Sequence, residues 1–140
     1  MVTNDQIEAY LIETGVAFER VKEGFWLIHD EGDAIDNVVV VHTPPVITFR
    51  VKLMEVSDDG DQTDLFRHLL HLNASDMIAG AYGLEDQAVV IVDSLQSENL
   101  DYNEFQASID AIGLAVREHY DELKQFKQKE ADAADDQADA

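Results

Sequence analysis

Apolar positions change their period along the chain, from helical to alternating and back. In residues 3–14, Ile7, Tyr10, Leu11 and Thr14 mark one helical face, Thr3 or Asn4 caps it, and Gly15 stops it. Residues 16–21 alternate around Phe18 and are followed by Gly24, which predicts a strand and a turn. Phe25-Trp26-Leu27-Ile28-His29 reads as a second strand, closed by a turn at Asp30-Glu31-Gly32-Asp33. Residues 37–42, with four consecutive valines, read as a third. Pro44-Pro45 then interrupts, because proline donates nothing to a ladder; an edge, a bulge or a change of strand is expected there. Alternation resumes over 46–56, with Ile47, Phe49, Val51 and Leu53 on one face and Thr48, Arg50, Lys52 and Met54 on the other.

The stretch 65–92 is the one the rest is arranged around. Leu65, Leu69 and Leu72 fall at i, i+4 and i+7, and Phe66 and Leu70 widen the stripe. Asp61 or Thr63 suits the N-cap, and Asn73 suits a left-handed residue that ends the helix. A short strand, a tight turn at Glu85-Asp86-Gln87 and an apolar strand follow. Residues 94–98 read as a polar connection. Asp101 and Glu104 then start a long helix, whose Phe105, Ile109, Ile112, Val116, Tyr120 and Leu123 repeat at helical spacing to about Phe126. Gly113 sits inside it, where glycine costs about 1 kcal/mol against alanine. The expected architecture is α+β, one antiparallel sheet with helices in the order α-β-β-β(-β)-α-β-β-α. It forms a single domain over 1–128. Residues 130–140 contain only Glu, Asp, Ala and Gln, so 129–140 is expected to be an acidic tail, a short helical extension at best and otherwise disordered.

Composition narrows the function classes. Thirty acids face nine Lys and Arg, a formal net charge of −21. Repulsion from phosphates argues against nucleic acid and anionic membranes as partners. Acids spread along the whole chain fit either a solubilising surface or a high-salt habitat, where screening removes the self-repulsion. With no cysteine, disulfides and thiolate zinc sites are excluded. No secretory signal and no segment of about 20 apolar residues is visible, so a cytoplasmic protein is expected.

Candidate chemistry is sparse. His68 and His71 stand at i, i+3, a spacing that can put two imidazoles on one side of a metal, but no third ligand is placed by the sequence. Asp58-Asp59-Gly60-Asp61 lacks the later glutamate of a calcium loop, position 66 being Phe. Gly80-Ala81-Tyr82-Gly83 lacks the lysine of a phosphate loop. No nucleophile elbow is present. These residues predict no enzyme and no cofactor; a small metal-binding protein or enzyme using His68 and His71 is the alternative. The large aromatics Trp26, Phe25 and Phe49 read either as core or as a sheet face open to an extended partner segment.

The stretch LFRHLLHLNASDMIAGAYGLEDQAVVIVDSLQSENLDYNEFQASIDAI resembles the YbjN family, which shares the fold of the type III secretion chaperones. The similar features are Leu69-Leu70-His71-Leu72-Asn73, residues 79–84, residues 89–92, Leu100 and the helix from Phe105. Gly24-Phe25-Trp26 and Thr43-Pro44-Pro45-Val46 are similar too. The resemblance implies a homodimeric, chaperone-like or regulatory adaptor that binds a protein client. On this reading Leu65, Phe66, Leu69, Leu70 and Leu72 are the expected dimer interface, and Trp26, Phe49 and Val51 the expected partner-binding residues.

Overall fold

The computed structural model describes residues 1–29, 37–57 and 60–138, with side chains described as far as Phe126. The turn expected at 30–33 and the acidic pair at 58–59 lie outside the described residues.

Helix α1 (Asn4–Thr14) opens the chain. Thr3 caps it in a reciprocal box with Gln6, and Gly15, at φ 79°, ends it in the left-handed conformation that glycine adopts freely. Four strands follow: β1 (Phe18–Lys22), β2 (Phe25–Ile28), β3 (Val38–Thr43) and β4 (Val46–Glu55). Pro44-Pro45 is the two-residue loop between β3 and β4, so the prolines sit where no ladder donor is needed. Helix α2 (Thr63–Ser75) leads to β5 (Ala81–Glu85) and β6 (Ala88–Gln96), and α3 (Tyr102–Ala138) ends the description. The order and the α+β class are those expected, with all four early strands present.

The strands form one six-stranded antiparallel sheet in the order β1-β2-β3-β4-β6-β5. Strand β6 pairs with β4 and pushes β5 to the edge, so α2 spans from the sheet interior to its rim. Ile47, Phe49, Val51 and Leu53 of β4 are buried, as are Trp26, Ile28, Val40, Val89 and Ile91. Phe105, Ile112 and Val116 of α3 join them, with Ile109 packed at the margin of the same core. Phe49 and Phe105 stack with centroids 5.3 Å apart, which fixes α3 over β4.

Four local expectations are revised. The polar stretch at 94–96 belongs to β6, because Ser94, Leu95 and Gln96 pair with Thr48, Ile47 and Val46. The N-cap of α2 is Gln62, and Asp61 instead accepts the backbone N–H of Thr63 at 2.9 Å. Asn73 lies inside α2, which runs on to Ser75. Helix α3 continues to Ala138, past the last apolar stripe residue and through most of the acidic stretch.

Candidate protein-binding surface

Two side-chain systems lock α2, β5 and α3 together. Asn73 treats β5 as a neighbouring strand: its amide donates to the Tyr82 carbonyl at 3.1 Å and its oxygen accepts the Tyr82 N–H at 2.7 Å. The Tyr82 ring then turns inward, and its hydroxyl lies 2.8 Å from His119 Nδ1 on α3. Burial, reinforced by the nearby Glu122 and Asp76 charges, pushes the Tyr82 hydroxyl far above the ordinary phenol range. Tyr82 therefore keeps its proton, and the other ring nitrogen of His119, Nε2, lies 3.5 Å from Asp76 Oδ2. One turn further along α3, Glu122 lies 3.0 Å from His68 Nε2. A buried tyrosine and histidine thus join the end of α2, the edge strand and the last helix.

With these elements pinned, their outer side holds apolar side chains that nothing in the monomer covers. Leu70 is 69% exposed, Ile78 78% and Leu84 49%. Phe66, half-buried, and Leu84 line one hollow of about 300 Å³ together with Val56, Gln62 and Gln87. A second open surface is the sheet face away from α1 and α3. Cross-strand register puts Phe25, Val41 and Thr48 in one row of that face, and Leu27, Val39, Arg50 and Val92 in the next. Arg50 pairs with Glu85 at 2.9 Å and Lys52 with Glu55 at 2.8 Å around a trough of about 530 Å³ floored by Val39 and Val90.

The expected interface residues divide. Leu65, Leu69 and Leu72 are buried in the domain's own core, Phe66 is half-buried, and Leu70 alone is fully outward. The three expected partner-binding residues correct in the same direction. Trp26, Phe49 and Val51 all lie on the helix-covered side and are closed off from a partner. Alternation fixed which residues share a face but could not say which face the helices would cover. Trp26 also donates its ring N–H to Glu8 at 3.3 Å, and the same carboxylate takes the Arg20 guanidinium. The Arg20 hydrogen bond holds the Glu8 carboxyl below the usual range. His68 faces Glu122 while His71 is exposed. Among the described residues no group of three or more His, Asp or Glu could hold a metal ion. Among the same residues no helix is long and apolar enough to cross a membrane. Sequence reasoning missed Ile78 and Leu84; two aliphatics flanking a Gly-rich strand start were the available signal. It also missed the Tyr82–His119 pair, which joins positions far apart in sequence.

The CesT_Tir_1 family model matches residues 2–129. No curated protein sequence matches the chain significantly. Among solved structures, the chain is similar to YbjN from E. coli, with a TM-score of 0.59 at 17% identity, covering 78% of this chain and 82% of that one. It is similar to a chain of the heterodimeric ExoU–SpcU complex from the type III secretion system of Pseudomonas aeruginosa, with a TM-score of 0.60 at 16% identity, covering 84% and 93%. It is also similar to a chain of the HopA1–SchA chaperone–effector complex, with a TM-score of 0.57 at 13% identity, covering 84% and 90%. At these identities the likeness is one of fold.

Proposed function

The chain belongs to the CesT_Tir_1 family of type III chaperones, and from that premise we propose that it is a protein-binding, chaperone-type module that acts as a homodimer and works by binding, not catalysis. The observation that carries the reading is the outward apolar group on α2 and the edge strand: Leu70, Ile78 and Leu84, with Phe66 beside them. Leu70, Ile78 and Leu84 are three of the six large hydrophobics exposed among the described residues, and they belong to α2, to the loop after it and to the edge strand β5. An edge strand, its backbone held by Asn73 at Tyr82, beside exposed aliphatics is a surface open to being covered. A two-fold pairing through it covers the same patch on both copies at once. The resulting dimer offers an extended client segment a continuous surface for main-chain and pocket contacts. The fold neighbours held in a chaperone–effector complex and a secretion-system heterodimer support a protein partner for this chain as well.

Light scattering on the size-fractionated protein in molar KCl tests the dimer. The expected result is twice the chain mass for the wild type and a folded monomer for Leu70→Glu combined with Leu84→Glu. Both positions are exposed, so the charges do not enter the core. A wild-type monomer at tens of micromolar, or a double variant that still dimerises, overturns the interface.

A further inference from the structure

Gly113 stands in the middle of α3 without a packing reason for being glycine. A Cβ built there meets only Arg117 Nη1, at 3.3 Å, and that atom is the movable end of a long side chain. Gly113 is not among the positive-φ glycines either. A glycine in a helix interior sacrifices stability relative to alanine, and here neither close approach nor backbone conformation demands it. What the missing side chain leaves is room for the tip of Arg117. Gly113 lines a cleft of about 320 Å³ between α3 and the ends of β2 and β3, with Ile28, Val38, Ile109, Ile112 and Val116 as its apolar walls.

The α3 positions in this wall are 109, 112, 113 and 116, which are i, i+3, i+4 and i+7. Four residues at that spacing form the hole that receives a single side chain from a packed neighbour. Three corners are branched aliphatics, and at the fourth only the movable tip of Arg117 stands where a side chain would be. The volume lies at the lower end of the roughly 300–1,000 Å³ typical of ligand sites, enough for one side chain and its backbone. Arg117, Asp110 and His29 form the polar part of the lip. Among the described residues no carboxylate is paired with Arg117, in a chain that carries thirty acids. Its guanidinium lies over the open corner, placed to take a carboxylate on its planar fork.

We infer that this cleft receives one large aliphatic side chain of a protein partner, with an adjacent carboxylate of the same segment held by Arg117. The inference rests on the protein-binding reading above and adds where one anchor seats and what chemistry it carries. The apolar walls give the aliphatic group its burial. At the Gly113 corner, away from Asp110 on the preceding turn, Arg117 disfavours a basic neighbour, which it would meet there as a like charge.

Methyl NMR of the full chain tests it with two probes, N-acetyl-leucyl-glutamate amide and N-acetyl-leucyl-lysine amide. The glutamate probe should shift the Ile28, Ile109 and Ile112 methyls saturably, and the lysine probe should bind about fivefold more weakly, the scale of an exposed ion pair. Arg117→Gln should erase that difference. Gly113→Leu should fill the cleft and abolish the shifts. Gly113→Ala, which adds one methyl and improves helix propensity, should weaken binding while raising the melting temperature. Unmoved methyls in the wild type, shifts that survive Gly113→Leu, or equal binding of both probes overturn the assignment. The dimer reading fails separately: a wild type that takes up the glutamate probe yet runs as a monomer refutes the dimer and keeps the cleft. A dimer that ignores the probe refutes the cleft alone.

Discussion

Replacing Asn73 by alanine strips the Tyr82 backbone of both its partners on α2. Tyr82 is buried, so its N–H and C=O would be left without the water that could compensate. The expected loss is about 2 kcal/mol in urea unfolding. A loss under about 0.5 kcal/mol would mean the clamp contributes nothing. Asparagine near a helix end ordinarily signals the left-handed stop, and the sequence offers no sign that its amide will instead act as a strand partner nine residues on. His42 carries a second residue-scale prediction. It is buried, its Nδ1 lies 2.7 Å from Asn4 Oδ1, and its Nε2 has no partner. Burial pushes its pKa below the ordinary imidazole value of 6.5. The unfolded chain therefore takes up a proton at a higher pH than the folded one. Stability is unaffected by this group above about pH 6.5 and declines as pH falls from there toward the lowered folded value. His42→Gln should flatten that part of the stability–pH curve between pH 7 and 5; an unchanged slope would clear His42 of the effect.

Helix α2 shows what an element's pattern reveals and what it hides. The five apolar positions between Leu65 and Leu72 read as one wide band. The structure turns Leu65, Leu69 and Leu72 into the core, leaves Phe66 at the margin and points Leu70 outward. Leu70 follows Leu69 by about 100° around the helix, so one straight wall cannot cover both. Leu69→Ala should cost about 3 kcal/mol by leaving a cavity, and Leu70→Ala less than about 0.5 kcal/mol in the monomer. Comparable losses at both positions would mean that Leu70 is covered in solution. The other elements were legible to differing degrees. The stripe of α3 fixed that element and its inward face, and the alternation of β4 fixed that element and which of its residues share a face, because each repeats over several turns or residues. The end of β6 was not legible, since Ser94 and Gln96 are polar and their strand character comes only from pairing with β4. Gly113 was legible as an anomaly, though its cause was not. The Arg117 tip can yield to a methyl group, so Gly113→Ala should stabilise α3 by about 1 kcal/mol in thermal or urea unfolding.

At the scale of the whole molecule, architecture was readable because helical and alternating periods succeed one another with short turns between. The binding surface was readable only as a class of surface. Which sheet face stays open depends on where α1 and α3 settle, and that choice moved Trp26, Phe49 and Val51 from the partner side to the core. Charge is the remaining whole-molecule property, and it bears on stability and assembly together. A net −21 spread over a chain of 140 residues repels itself in the folded state more than in the expanded one. Arg20–Glu8, Arg50–Glu85 and Lys52–Glu55 are Lys or Arg ion pairs among the described residues, and all are at least partly exposed. Exposed pairs of this kind contribute about 0–1 kcal/mol each. Raising the ionic strength from 0.1 M to 1 M shortens the screening length from about 10 Å to about 3 Å, which removes most repulsion between surface carboxylates. The melting temperature should therefore climb steeply between low and molar KCl and level off once neighbouring acids are screened. Dimerisation should follow the same direction, since two copies each carrying −21 approach more easily when screened. An interface held by opposite charges would weaken with salt instead. A melting temperature indifferent to KCl would reduce the acids to an ordinary solubilising surface. A dimer that dissociates as salt rises would place opposite charges at its interface and remove the apolar patch of α2 and β5 from that role.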